Sequence, residues 1–296
     1  MVVGEAADIN LSLAFEVLDY ALLSAPGAPL KQALLDAKIG KDIYGSFEDG
    51  IKQTYFSIVA KGANLSQKEE FVKVIRDTLT KIAEEGIDKK AVTAGINYYE
   101  FRFREADFSS YPKGLMYGLD ILSSWLYDDT KPFCEVQLLE GFEFLKKALE
   151  EGYFEELIRK YLLGNTHGAI LSLVPEKGLA AKRDKELEEK LENYRKSLSD
   201  EELTRMVENT KALEAYQEAE EAPEALTCIP MLSREDIKKE IAGLTNEEHH
   251  VEDSLFLYHD VCTNGIGYAD LLFEIHDFDA DTVHYLGLLK SVLGAV

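Results

Sequence analysis

The sequence is poor in the residues that build reactive or metal-holding centres. Three cysteines, Cys134, Cys228 and Cys262, stand among 296 residues. Their odd number and wide spacing give neither a disulfide framework nor a thiolate zinc site, and fit a reducing compartment. Six histidines are present, and none opens His-Glu-x-x-His or its reverse, His-x-x-Glu-His, the patterns that set two imidazoles and a water-activating glutamate on one helical turn. A Gly-x-Ser-x-Gly elbow, a Gly-x-Gly-x-x-Gly fingerprint and a phosphate-loop lysine motif are also missing, which removes the usual signs of hydrolase, dinucleotide or nucleotide chemistry. Positive charge is scarce as well: 32 basic residues face 55 acidic ones, for a net charge of -23. That balance opposes a phosphate backbone and an anionic lipid surface, so neither nucleic acid nor membrane is an expected partner. No stretch reaches membrane-spanning length free of charge, and Met1–Asp8 lacks a basic n-region and an apolar h-region, so a cytoplasmic chain is expected.

What is present is enough for folded domains: 46% hydrophobic and 10% aromatic residues allow a substantial core. Leu11, Leu18 and Leu22 repeat at helical spacing, and Leu30, Leu34 and Leu35 resume it after Ser24–Pro29. Ile43–Phe47 and Tyr55–Ala60, on either side of Asp49-Gly50, predict an antiparallel strand pair. Ser66 with Glu69 reads as a capping box opening a helix with Phe71, Val74, Ile75, Leu79 and Ile82 on one face. Asp88 can cap the next helix, and others are expected around 115–126, 138–149 and 154–163. Gly168–Val174 reads as a strand returning to the sheet before Pro175.

After Pro175 the composition changes, with 23 charged residues among the 46 from Glu176 to Glu221. Leu187, Leu191, Tyr194 and Leu198 mark one apolar seam and Leu203, Met206, Leu213 and Tyr216 a second, separated by a Ser199/Glu202 capping box. A charged helical hairpin is implied. Beyond Pro223 and Pro230, a capped stretch spans Ser233–Ile241, while Leu255–Cys262 and Ile266–Ile275 flank the hairpin signal Thr263-Asn264-Gly265. A last helix starts near Asp279. The expected fold class is α+β: an antiparallel sheet covered by helices over 1–175, a helical-hairpin linker over 176–232, and a truncated β-hairpin plus helix over 233–296.

The residues offer few candidates for chemistry. His249-His250-Val251-Glu252-Asp253 is one residue short of a zinc motif, with an aspartate where the second histidine belongs, and reads as a polar, exposed linker. His259, His276 and His284 lie near Asp260, Asp277 and Asp281 without a third spaced ligand, and read as solvent-facing or structural. Tyr98, Tyr99, Phe101, Phe103 and Phe108 are spaced for core packing rather than a ligand pocket. No catalytic, cofactor-binding or metal position is assigned.

The order of parts resembles the presequence-protease branch of the pitrilysin and insulinase zinc metallopeptidases. Ala21-Leu22-Leu23-Ser24-Ala25-Pro26-Gly27-Ala28-Pro29-Leu30 with Gln32-Ala33-Leu34 looks like the turn and helix near the start of that family's second domain. Asp200-Glu201-Glu202-Leu203, Thr210-Lys211-Ala212-Leu213, Pro223-Glu224-Ala225-Leu226 and Ile229-Pro230-Met231-Leu232 resemble its linker. Thr263-Asn264-Gly265-Ile266 with Tyr268-Ala269-Asp270-Leu271 looks like the first strand pair of its third domain. The resemblance implies four homologous α+β domains in two bowls, joined by the helical hairpin and closing around short unfolded peptides. The zinc motif of such enzymes belongs to the first domain, and their substrate-gripping arginine and tyrosine to the fourth. This chain is therefore expected to be inactive alone, with no cofactor of its own and zinc in the longer protein. Its expected role is chamber wall and hinge, with the first and fourth domains and unfolded peptides as partners and dimerisation possible through the C-terminal hairpin. The rival is a non-catalytic interaction subunit using the same fold.

Overall fold

In the computed structural model the described residues are 1–228, 230–237, 239–240, 243, 246–273 and 279–293. The fold is α+β with helices dominating, as the sequence predicts. The chain divides into two units: Met1–Gly62, Lys73–Gly168 and Val261–Val296 form the first, Ala63–Val72 and Ala169–Asp260 the second.

The first unit starts with strand β1 (Val2–Glu5) and helix α1 (Ile9–Asp19), whose amide at Leu11 donates to Asp8 Oδ1 at 3.3 Å. A π-helical turn over Tyr20–Ser24 follows, and α2 (Pro29–Asp36) resumes with proline at its first position, where no amide is needed. Strands β2 (Asp42–Glu48) and β3 (Gln53–Lys61) fall where the alternation places them. The sheet order is β1-β3-β2, antiparallel throughout, with Phe47 opposite Phe56 and Ser46 opposite Ser57. The Ser46 and Ser57 hydroxyls bond at 2.8 Å. Helix α1 lies on this sheet: Phe15 stacks on Phe47 at 5.6 Å between ring centroids and meets Phe56 at 6.0 Å and Tyr161 at 5.7 Å. Gly45 of β2 makes that approach possible, because a Cβ there would collide with Leu23 and Asp19 side chains.

Two sequence expectations fail here. The expected strand over 168–174 is absent; β1 pairs with β3 instead. Along the other side of β1, His167 accepts one backbone bond from Val2 at 3.0 Å, and the Asn165 side chain donates to the Val2 carbonyl at 2.6 Å. A side-chain amide thus takes the place of a further ladder bond. The cap at the start of α3 (Lys68–Glu85) is also displaced: Asn64 and Gln67 form the capping box around a 3-10 turn, not Ser66 and Glu69.

Helix α4 (Lys89–Glu105) is capped by Asp88, which accepts from Lys90 N at 2.8 Å. Helices α5 (Lys113–Trp125), α6 (Leu139–Ala148) and α7 (Tyr153–Leu157), the last continued by a π-helical turn over Ile158–Leu163, match the expected segments within a few residues. The core of the unit is built from Phe15, Leu18, Leu22, Phe56, Phe142 and Phe154, all fully buried.

In the second unit, α8 (Leu179–Ser197) and α9 (Asp200–Glu218) are joined at Leu198-Ser199, and the Ser199/Glu202 capping box forms as predicted. The seams do not close: Leu187, Leu191, Tyr194, Met206, Leu213 and Tyr216 are all exposed. So narrow a stripe on helices this charged buries little apolar area. A short helix α10 (Pro223–Leu226) leads on to a Ser233/Asp236 capping box; Lys238 and Ile241 of the expected capped stretch lie outside the described residues. The hairpin is β4 (Glu247–Val251) with β5 (Ser254–Tyr258), upstream of the expected one. Asn264 and Gly265 do adopt left-handed backbone, at φ +54° and +82°, but residues 259–273 around them carry no strand; the rest of the expected second strand, 274–275, lies outside the described residues. Thr263–Gly265 and α11 (Ala280–Leu293) belong to the first unit, with Asp279 accepting from Thr282 N at 2.7 Å.

Candidate functional site

A half-open cavity of about 310 Å³ lies within the first unit, at the lower end of the roughly 300–1,000 Å³ range of small-ligand sites. One face of α1 forms its floor, because Ile9, Ser12, Leu13 and Glu16 follow helical i, i+3, i+4, i+7 spacing. Asp49 enters from the β2–β3 turn, Tyr99, Arg102 and Phe103 from α4, Asp120 from α5, and Glu135 from the 3-10 turn over Cys134–Val136. The walls are largely aromatic: Phe103 meets Phe142 of α6 at 6.1 Å, and Phe108 meets Tyr117 edge-on at 5.5 Å.

The electrostatics are one-sided. Burial, with repulsion from Asp49 and Glu135, pushes the Glu16 carboxyl up to about 8. Burial, with Asp49 and Asp120, pushes Glu135 up to about 7. Burial also raises Asp49 and Asp120 above the usual carboxylate range. Glu16, Asp120 and Glu135 have no hydrogen-bond or ion-pair partner among the described residues. Glu100, nearby on α4, shows the alternative: although burial raises it, bonds from Lys146 and Arg104, each at 2.7 Å as ion pairs, hold it below the ordinary value.

Most residues singled out from sequence are not brought together. His249 and His250 are successive residues of β4, so their side chains leave opposite faces of the hairpin. His249 Nε2 lies 3.4 Å from Glu247, and Glu252 sits in the turn at φ +55°. A tetrahedral zinc ion needs its ligands on one side, and this segment does not fit one. His259, Asp260, His284 and Asp281 are exposed, and His276 and Asp277 lie outside the described residues. Among the described residues no group of three or more His, Cys, Asp or Glu is arranged to hold a metal ion. Cys134 donates to Ser124 Oγ at 3.1 Å, while Cys228 and Cys262 are exposed free thiols.

The aromatic cluster divides. Tyr98 and Phe101 are exposed, Tyr98 stacking on Tyr20 at 5.5 Å, whereas Tyr99, Phe103 and Phe108 line the cavity. Plain core packing is thus only part of its role. Sequence reasoning missed Ser12, Glu16, Asp49, Asp120 and Glu135 altogether. Only the α1 pair shares a helical face, and four acidic residues scattered over 120 positions of an acidic chain carry no pattern.

Two family models match the chain: Peptidase M16 inactive domain over residues 2–99 and, from subfamily C of the same peptidase family, its associated region over residues 173–296. Protein HypA of Clostridium perfringens is 42% identical over 99% of this chain and 30% of its own length. Presequence protease 1 of Arabidopsis thaliana is 34% identical over 90% of this chain and 25% of its own. The mitochondrial presequence protease of Xenopus laevis is 25% identical over 98% and 28%. The chain therefore spans less than a third of the length of these relatives. With both family models and these relatives in agreement, the chain belongs to the M16 metallopeptidase family, on its presequence-protease branch, and corresponds to the inactive domain and the associated region of subfamily C.

Proposed function

We propose that this chain supplies wall and hinge to a longer zinc-dependent peptidase that degrades short unfolded peptides. The observation that carries the reading is the pair of family matches, an inactive domain followed by an associated region. On this reading residues 1–175 are a chamber-wall domain, 176–232 a linker and 233–296 the start of a further domain. Zinc and its water-activating glutamate reside in the first domain, and the fourth completes the enclosure. A wall that keeps out bulk water and folded proteins, and a linker that lets two halves part, serve catalysis by gating rather than by chemistry. Residence in a reducing cytoplasm is part of the proposal and rests on the free thiols Cys134, Cys228 and Cys262.

The test is a peptidase assay on the purified chain with a quenched unfolded peptide, with and without chelator, beside metal analysis. No turnover and no stoichiometric zinc are expected; chelator-sensitive hydrolysis by this chain would overturn the reading. Pairing of two copies through the exposed β4–β5 edges is a further part of the proposal. Light scattering that shows only monomer at high concentration would remove it.

A further inference from the structure

The cavity bounded by α1, α4 and α5 combines an apolar, aromatic interior with carboxyl groups converging from five separate segments. Five carboxyl-bearing residues line it, Glu16, Asp49, Asp107, Asp120 and Glu135, against one cation. That cation, Arg102, offsets only part of the rise at Glu16, and its guanidinium also donates to Tyr98 Oη at 3.3 Å and lies 5.7 Å from the Tyr98 ring centroid. Asp107 is partly satisfied, accepting from Ser109 N at 2.9 Å. A second, independent feature is the hydroxyl of Ser12 on the cavity floor. Ser12 is only 7% exposed, its Oγ is shielded from solvent, and it has no hydrogen-bond partner among the described residues. Buried polar groups are normally paired, so an orphan beside unpaired carboxyls marks a place where a donor is missing. The missing group must be positively charged to balance the carboxyls, rich in N–H to satisfy them and Ser12, and carried on an apolar stem to suit Phe103, Phe108 and Tyr117.

We propose that this cavity binds a guanidinium or ammonium group on an alkyl stem, whether as the basic side chain of a peptide or as a small free amine. The aromatic faces receive the stem and the cationic edge, and Glu16, Asp120 and Glu135 receive the charge. A metal ion suits the cavity less well, since among the described residues its carboxyls are not grouped as ligands. The proposal stands apart from the peptidase reading, because single-residue probes detect it whether or not any peptide is cut.

The experiment is calorimetric titration of the 296-residue chain at about pH 8.5, above the range in which Glu16 and Glu135 hold their protons, with three probes: N-acetyl-arginine methylamide, agmatine, and the neutral isostere N-acetyl-citrulline methylamide. Saturable binding of the arginine probe identifies a peptide side chain as a fitting source; binding of agmatine alone identifies a free amine. The citrulline probe is expected to bind at least about tenfold more weakly, the loss of one charge-assisted contact. Asp120→Asn and Glu135→Gln should each weaken binding by about tenfold, and Ser12→Ala by a smaller factor. Near-ultraviolet circular dichroism of the sole tryptophan, Trp125, verifies that the variants fold. On the unaltered chain, binding should tighten from about pH 6 to about pH 8.5 and release protons, read from two buffers of different ionisation enthalpy. Equal affinity for the citrulline probe, unchanged affinity in both carboxamide variants, absence of proton release, or no saturation with either cation would each overturn the proposal.

Discussion

Glu16 keeps its proton up to about pH 8 in the folded chain, against an ordinary value of 4.5, chiefly because burial disfavours its charge. The folded state therefore binds more protons than the unfolded one between those values, and stability falls as pH rises from about 4.5 to 8. Replacing Glu16 with Gln should remove much of that slope and raise stability at about pH 8.5 by on the order of 2 kcal/mol, allowing for water reaching a half-open cavity; urea titrations at about pH 5, 7 and 8.5 read both. An unchanged pH slope would show that the penalty lies elsewhere. Gly45 makes the opposite kind of prediction. Gly45→Ala would drive a methyl group into Leu23 and Asp19 beneath it, and a loss of about 1–3 kcal/mol is expected in the same titrations. Neither residue was legible beforehand. Glu16 occupies an ordinary position on an amphipathic helix, and Gly45 reads as a weak spot in a strand until the helix lying over it is known.

Elements with a strong local signal were legible. The Ser199/Glu202 box needs only residues three apart, and it forms, with the Ser199 and Glu202 side chains 2.9 Å from each other. Ser199→Ala should cost α9 about 1 kcal/mol, seen as lower helical circular dichroism in the chain and earlier fraying on heating; an unchanged melt would mean the cap is not limiting. Elements whose identity depends on a distant partner were not legible. Strand β1 is four residues long and owes its existence to β3, which begins at Gln53. The apolar run at 168–174 has stronger β propensity yet forms no strand, and Val2 donates instead to the His167 carbonyl while its own carbonyl accepts from the Asn165 side chain. The Asn264-Gly265 turn has the conformation its residues demand, yet a turn does not compel the flanking residues to pair.

Charge dominates at the scale of the whole chain. A net charge of -23 sets like charges against one another across the surface, and compactness suffers for it. Raising sodium chloride from about 10 to 150 mM shortens the screening length from about 30 to 8 Å, so Tm should rise by about 2–5 °C in a thermal melt. A fall would mean that attractive pairs outweigh repulsion. Family membership was legible at this scale although the cavity was not, because order of segments survives in a linear text while convergence of side chains from five segments does not. The sheet of the first unit carries a last consequence. Strand β3 is flanked on both sides, by β1 and β2, and Phe56 at its centre is sealed beneath α1, whereas every residue of the β4–β5 ribbon is wetted. In deuterated buffer the amides of β3 should stay protonated until the unit opens as a whole, and those of the ribbon should trade their hydrogen almost as fast as an unstructured peptide.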